Sequence, residues 1–206
     1  MGERREVPPI VRANSANSAD SAAMAATLAA AFADDPAMSW IIPDRTERLR
    51  RHPRFFRLPV AHDLEHGFAL HSPASEVVTL WRDPRQATAG LGETLRGGPG
   101  YLRALGRRLP RAMTVSQALS AHYPTAFDFA YLHYAAVAPK HQGKGLAGAA
   151  IREGQAIASS KGLPIYLETA KLDNVAIYSR LGFTVTGEFD VPGGGPHFWS
   201  MLWRTA

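Results

Sequence analysis

Apolar positions along this chain change period several times, and each change marks an element. Residues 1–8 are polar and proline-bearing and are expected to fray, whereas Ile10 to Arg12 can form a first strand. After a short Asn/Ser/Ala linker over 13–19, Met24, Leu28, Ala31 and Phe32 recur at helical spacing, which predicts a helix over 21–33 capped by Asp20 or Ser18. A loop through Asp34, Asp35, Pro36 and Trp40 then leads to an arginine-rich helix near 45–65, expected to be interrupted or bent at Pro53 and Pro59. Phe68 to His71 and Val77 to Trp81 read as a hairpin pair. Residues 86–125, with Gly97-Gly98-Pro99-Gly100, read as a helical insertion between the third and fourth strands. Phe129 to Val137 is a nearly uncharged run of aromatic and aliphatic residues, the pattern of a buried strand, and Pro139 ends it by withholding an N–H. Helical spacing returns at Leu146, Ala150 and Ile157, predicting a helix over 143–160. A short strand follows Leu163, then a helix carrying Asn174 and Tyr178, and strands over 183–191 and 197–204 close the chain.

The junction between the buried strand and the helix after it holds the first chemistry. It reads Val137-Ala138-Pro139-Lys140-His141-Gln142-Gly143-Lys144-Gly145-Leu146-Ala147. The first N–H groups of a helix have no intrahelical partner, and the macrodipole adds partial positive charge there, so a phosphate is favoured at this end. Gly143 and Gly145 leave no Cβ between backbone and anion, and Lys144 and the Gln142 amide are further donors. A helix that merely starts after a tight turn has the same glycines. The spacing fits neither a Gly-x-x-x-x-Gly-Lys-Ser/Thr loop nor a Gly-x-Gly-x-x-Gly loop.

What remains is Gln142-x-x-Gly145-x-Ala147 after a Val-x-Pro strand exit, and it resembles the acetyl-CoA signature of the GNAT acetyltransferase superfamily. A second string, Asn174-x-x-x-Tyr178-x-x-Leu181-Gly182-Phe183, resembles another block of that superfamily. Asn174 and Tyr178 are four apart and share a helix face, and Gly182 is a helix stop with Arg180 in the last turn. Segments 29–34, 141–146, 167–169, 181–186 and 191–201 are in addition similar to the puromycin N-acetyltransferases of the superfamily, a likeness that is poor between about 85 and 125. The resemblance implies a GNAT fold, an α/β (α+β) architecture with a mixed, mostly antiparallel sheet of six to seven strands flanked by helices, in one domain over 1–206. It implies acetyl-CoA as cosubstrate, with Val137, Ala138, Gln142, Gly143, Lys144, Gly145, Leu146, Ala147 and Asn174 as its binding residues. Tyr178 is implied as the proton donor to the departing thiolate, and a backbone group near Val137 as the oxyanion donor.

Acetyl transfer to an amine needs a deprotonated nitrogen, donors for the developing oxyanion and a proton for the thiolate. Glu168, near the end of the fifth strand, is the general-base candidate carried forward, and His133 on the fourth strand is the other; each also reads as an ordinary hydrogen-bonded residue of a sheet. Asp34, Asp35, Trp40, Trp81, Tyr101 and the 192–196 loop are candidates for an acceptor pocket. The expected acceptor is the primary amine of a small molecule. The alternatives are a protein lysine or N-terminus, and a noncatalytic acyl-CoA sensor.

Composition sets the outer limits. A chain of 206 residues is long enough for one domain that buries roughly 70% of its unfolded surface. With no cysteine there is no disulfide framework, no thiolate metal site and no thioester-linked enzyme intermediate. His62 and His66 have helical metal-pair spacing but no Glu after His62 and no third ligand, so no metal is expected. The net charge of +5 comes from arginines at 45–57 and 103–111, which interleave with apolar residues as solvated helix faces, so no nucleic-acid partner is expected. Neither a membrane span nor a signal core is present in the sequence, which makes the cytoplasm the expected location. Oligomeric state is open.

Overall fold

The computed structural model describes residues 8–13, 18–84 and 98–205. The expected fraying of 1–8 lies almost wholly, and residues 86–97 of the insertion lie wholly, outside these residues. Strands β1 (Val11–Arg12), β2 (Gly67–His71), β3 (Val77–Arg82), β4 (Ala130–Val137), β5 (Ile165–Thr169), β6 (Thr184–Asp190) and β7 (His197–Trp203) form a seven-stranded sheet in the order β1-β2-β3-β4-β5-β7-β6. Only β4 and β5 pair in parallel; the other neighbours are antiparallel. The mixed, mostly antiparallel sheet expected from the sequence is therefore present. A parallel pair needs a crossover, and α6 (Leu146–Ser160) supplies it.

Helices cover both faces. On one side lie α1 (Ser18–Ala31), α2 (Pro36–Ile41), α3 (Arg45–His66), α4 (Gly98–Leu105) and α5 (Leu109–Ala121), packed through Met24, Leu28, Phe56 and Leu105 onto Val78, Leu80 and Ala136. On the other side α6 and α7 (Leu172–Arg180) pack through Ile151 and Tyr178 onto Trp81, Leu132 and Leu167. All six residues of β3 are buried because both its faces are covered. Trp81 needs room on the α6 side, and a Cβ at Gly154 would collide with its ring. Overpacking of this kind costs about 1–3 kcal/mol.

Three sequence expectations change. The helix expected from 143 starts at Leu146, because Gly143 and Gly145 take φ of 75° and 78°, in the left-handed region, and so stand before the helix and not in it. The loop expected after Asp34 contains α2, whose N-cap is Asp35, with Oδ1 accepting from the Ala37 and Met38 N–H groups at 2.9 and 3.2 Å, and whose first residue is Pro36. The arginine-rich helix runs through both Pro53 and Pro59 without interruption over 22 residues. Its arginines are not simply solvated faces either. Arg48 is 4% exposed and donates to the carbonyls of Ala33 and Ile42, both at 2.6 Å. Arg51 reaches Glu47 and the Ala104 carbonyl, and Arg108 reaches Glu47, so the charge ties α3 to the insertion.

Candidate active site

The sheet divides between its two parallel strands. β4 and β5 are joined only at Ala130–Ile165 and Tyr131–Tyr166, after which each runs on without the other. A cavity of about 200 Å³ opens at this divide, lined by Leu132 to Ala135 from β4 and by Glu168, Thr169 and Ala170 at the end of β5. Asn174 and Tyr178 wall it from the α6–α7 face, while Phe55, Tyr101, Leu105, Leu109, Met113 and Leu119 wall it from the opposite face. The opening in the sheet thus connects both sides of the molecule.

The glycine turn lies at the outer end of β4. Gln142 Nε2 donates to the Val137 carbonyl at 3.2 Å and Lys144 Nζ to the Lys140 carbonyl at 3.1 Å, so both side chains brace the turn and do not extend from it. The anion donors that fit are backbone: the N–H groups at the start of α6 precede the first intrahelical bond, Ala149 N–H to Gly145 O at 3.1 Å. Apart from the chain neighbours, no atom lies within 4 Å of the Cβ position of Gly143 or Gly145, so the space over the turn is open.

On α7, Asn174 and Tyr178 face the cavity together, as their spacing predicts. Asn174 Nδ2 donates to Thr169 Oγ1 at 3.0 Å and so fixes the start of α7 to the end of β5. The helix ends with Gly182 at φ 87°, its N–H bonded to Ser179 O and that of Phe183 to Tyr178 O, the paired pattern of a left-handed stop. Tyr178 is 9% exposed and stacks edgewise on Phe183. Burial, then the charge of Asp35, pushes its phenol up to about 12, so the hydroxyl keeps its proton through the neutral range.

Glu168 is in an unusual position. Its neighbours in the strand alternate, so that Ile165 and Leu167 face α6 and Tyr166 and Glu168 face the insertion. Both carboxylate oxygens are enclosed and neither is within hydrogen-bonding geometry of a donor among the described residues. The Tyr166 hydroxyl, with a single proton, lies 2.8 Å from Ser200 Oγ and 3.0 Å from the His122 carbonyl. Burial pushes the Glu168 carboxyl up to about 8, and the nearby Tyr131 and Tyr166 hydroxyls offset this only in part. Ionising an enclosed carboxyl with no donor is costly, so Glu168 keeps its proton at neutral pH unless a cation or N–H donor comes beside it.

A second polar group entered from β4. The β3–β4 register shifts at Leu80/Trp81, with Leu80 opposite Tyr134 and Trp81 opposite Leu132, so His133 is an extra residue. The bulge reverses the alternation: Leu132 packs toward α6, whereas His133 and Tyr134 both face α3, their rings 4.2 Å apart. His133 Nδ1 lies 2.6 Å from Asp63 Oδ2, and Arg82 Nε donates to Asp63 Oδ1 at 2.7 Å. Asp63 is fully buried, which alone would raise its pKa, yet the charge and hydrogen bond of His133, with His62 and Arg82, hold it below the usual carboxylate range. Sequence reading named His133 but missed Asp63, which is 70 residues away and has no local signal.

The expected acceptor pocket is revised. Tyr101 and Asp35 line the cavity; Trp40, Trp81 and Asp34 do not. Trp81 is fully buried, stacked on Phe68 and donating from Nε1 to Thr79 Oγ1 at 2.8 Å. Trp40 lies under Arg111, and Asp34 pairs with Arg45 at the surface.

Comparison with known proteins places these features. Residues 114–183, which include the glycine turn, Glu168, Asn174 and Tyr178, match the model of the Acetyltransferase (GNAT) family. An uncharacterized N-acetyltransferase of Schizosaccharomyces pombe is 29% identical over 169 residues, covering 77% of this chain and 68% of the relative. Among solved structures, the histone acetyltransferase HPA2 and related acetyltransferase from Corynebacterium glutamicum superposes with a TM-score of 0.69 at 22% identity, over 98% of both chains. Arylalkylamine N-acetyltransferase 2 from Aedes aegypti does so with a TM-score of 0.61 at 14% identity, over 95% of this chain and 98% of its own. These likenesses show that the fold is the GNAT fold.

Proposed function

We propose that this GNAT-fold chain transfers an acetyl group from acetyl-CoA directly to the primary amine of a small molecule. The observation that carries the reading is the cavity at the β4–β5 divide, which encloses the Glu168 carboxyl and is walled by Asn174 and Tyr178, with the glycine turn following farther along β4. The two ends call for different ligands. Backbone N–H groups at the start of α6, with Gly143 and Gly145, suit the diphosphate of CoA; Val137 and Ala138 border the pantetheine arm and Asn174 meets it at the divide. The thioester supplies an activated acyl group. Tyr178, which holds its proton, is the donor to the departing thiolate, and Glu168, ionised once an ammonium beside it has drawn its pKa down, accepts a proton from the attacking nitrogen.

The acceptor end selects for an amine with an apolar body. Its walls are Phe55, Tyr101, Leu105, Leu109, Met113 and Leu119, with Glu168 and Asp35 as the carboxylates. An ammonium entering beside Glu168 supplies the missing donor and draws its pKa back down. The likeness to puromycin N-acetyltransferases and the name of the mosquito relative both favour an aromatic or aminonucleoside-like body. A cytoplasmic location goes with a soluble cosubstrate, and no helix among the described residues is long and apolar enough to cross a membrane.

Thiol release from acetyl-CoA, measured with 2-phenylethylamine, agmatine, spermidine, puromycin and a Lys-rich peptide, tests the proposal. The expected result is a higher kcat/KM for at least one aromatic amine than for the peptide. Efficient turnover of the peptide with every small amine inert would transfer the reading to protein acetylation, and bound acetyl-CoA with no turnover at all would favour a sensor.

A further inference from the structure

The face that α5 turns to the cavity is interrupted by one hydroxyl. Leu109, Ala112, Met113, Ser116 and Leu119 recur at helical spacing and all line the cavity, so Ser116 holds an inner position of an otherwise apolar stripe. A serine or threonine inside a helix commonly satisfies its hydroxyl on a carbonyl one turn back. Two neighbours on α5 do so: Thr114 Oγ1 donates to the Pro110 carbonyl and Ser120 Oγ to the Gln117 carbonyl, both at 3.1 Å. Ser116, partly buried between them, makes no such bond among the described residues. Its donor and its lone pairs are left for whatever fills the cavity.

We infer that Ser116 selects acceptors whose apolar body carries a hydrogen-bonding group, such as a ring hydroxyl, at the end remote from the amine. The inference rests on the reading of the chain as a small-amine acetyltransferase and narrows the substrate class of that same site. Length supports it. The C-terminal end of α5 meets the Glu168 end of the cavity, because the His122 carbonyl, just past the helix, lies 3.0 Å from the hydroxyl of Tyr166, two residues before Glu168 on β5. Ser116 precedes His122 by six residues, which at the helical rise puts it about 9 Å back along the axis. An extended 2-arylethylamine covers a comparable distance from its nitrogen to the far side of its ring. Phe55 and Tyr101, with ring centroids 6.1 Å apart, supply an aromatic wall to the same cavity.

A hydroxyl and a methyl group at that far position compete with opposite signs. Against a wholly apolar wall the methyl compound binds better, since a buried hydroxyl has lost its water and gained no partner. Against Ser116 the hydroxyl gains a hydrogen bond, whereas the methyl group leaves the serine bare. A bare serine can still turn to the Ala112 carbonyl, which keeps the discrimination to about tenfold. Ser116 meets the acceptor body and has no part in proton transfer, so it governs the choice between acceptors and not the chemical step.

Thiol release from acetyl-CoA with tyramine and its 3-hydroxy isomer, each against the amine in which methyl replaces that hydroxyl, tests this. Wild-type enzyme should show a higher kcat/KM for at least one hydroxylated amine than for its methyl counterpart. Ser116→Ala removes the hydroxyl with little change of volume and suits a helix interior. It should reverse that preference, moving the ratio on the order of tenfold, with acetyl-CoA affinity by calorimetry and turnover of the methyl compound no lower than in the wild type. A wild type that favours both methyl compounds, or a preference that Ser116→Ala leaves unchanged, overturns the inference. Turnover of other small amines but of none of these four also overturns it and leaves the acetyltransferase reading in place. An enzyme inert toward every amine overturns both.

Discussion

The two sides of the β4–β5 divide are built in different ways. On the α6–α7 side the proposed donor site comes from contiguous chain: strand exit, glycine turn and helix start lie within 137–149, and Asn174 and Tyr178 lie on one short helix. On the other side the acceptor end is assembled from α2, α3, the insertion and two strands, and its polar pairs span up to 70 residues of sequence. Contiguous sites depend on backbone conformation, which a few glycines specify, so the same short strings can serve many proteins. Assembled sites depend on packing, which tolerates wide substitution. A shared donor with a private acceptor follows from that contrast.

The largest effect should come from breaking the donor side at its backbone. Gly145→Glu places a side chain and a negative charge at the cradle and should abolish acetyl-CoA binding in calorimetry. Gly145→Ala shares the strain of the φ of 78° without the charge, so it should bind more tightly than the Glu variant. Equal affinity in a folded Gly145→Glu protein would remove the cradle from the account.

Next in size is Tyr178→Phe, which keeps the contact with Phe183 and removes the proton donor. We expect kcat to fall about 10²–10⁴-fold with acetyl-CoA affinity nearly retained. Lost stability with full specific activity would make Tyr178 a core residue only.

The smallest effect tests the acceptor side through pH. Burial raises the Glu168 carboxyl from 4.5 to about 8, so the native protein holds a proton that the unfolded chain releases. The stability contributed by this group is fully present below pH 4.5 and is lost as pH rises through about 8. Glu168→Gln cannot titrate and should gain stability over the wild type across that window, on the order of 1–3 kcal/mol in denaturant titrations. A gain independent of pH would mean that the carboxyl is not held protonated.

What could be read from the sequence follows the same contrast. All seven strands were expected from the sequence, the buried ones β2 to β5 because they are short apolar runs and the exposed β6 only from its place after the second motif block. Asn174 and Tyr178 were placed on one helix face by their spacing, and that face lines the cavity. Asp35-Pro36 was read as a turn, although an N-cap followed by proline at the first helical position was the available signal for α2. The bulge at His133 was not legible, since it is defined by pairing with β3 and not by any residue in β4. Trp81 was misassigned for a related reason: its role depends on Gly154, which lies on a helix far along the chain.

The central claim is that one cavity takes the donor from one side of the sheet and the acceptor from the other. A conjugate in which 2-phenylethylamine is joined through an acetyl bridge to the sulfur of CoA would occupy both ends at once. Calorimetry should show it binding more tightly than acetyl-CoA, with the gain reduced by Leu109→Trp, which fills the acceptor end, while acetyl-CoA affinity stays as in the wild type. A conjugate that binds no better than acetyl-CoA, or a gain untouched by Leu109→Trp, would contradict the account.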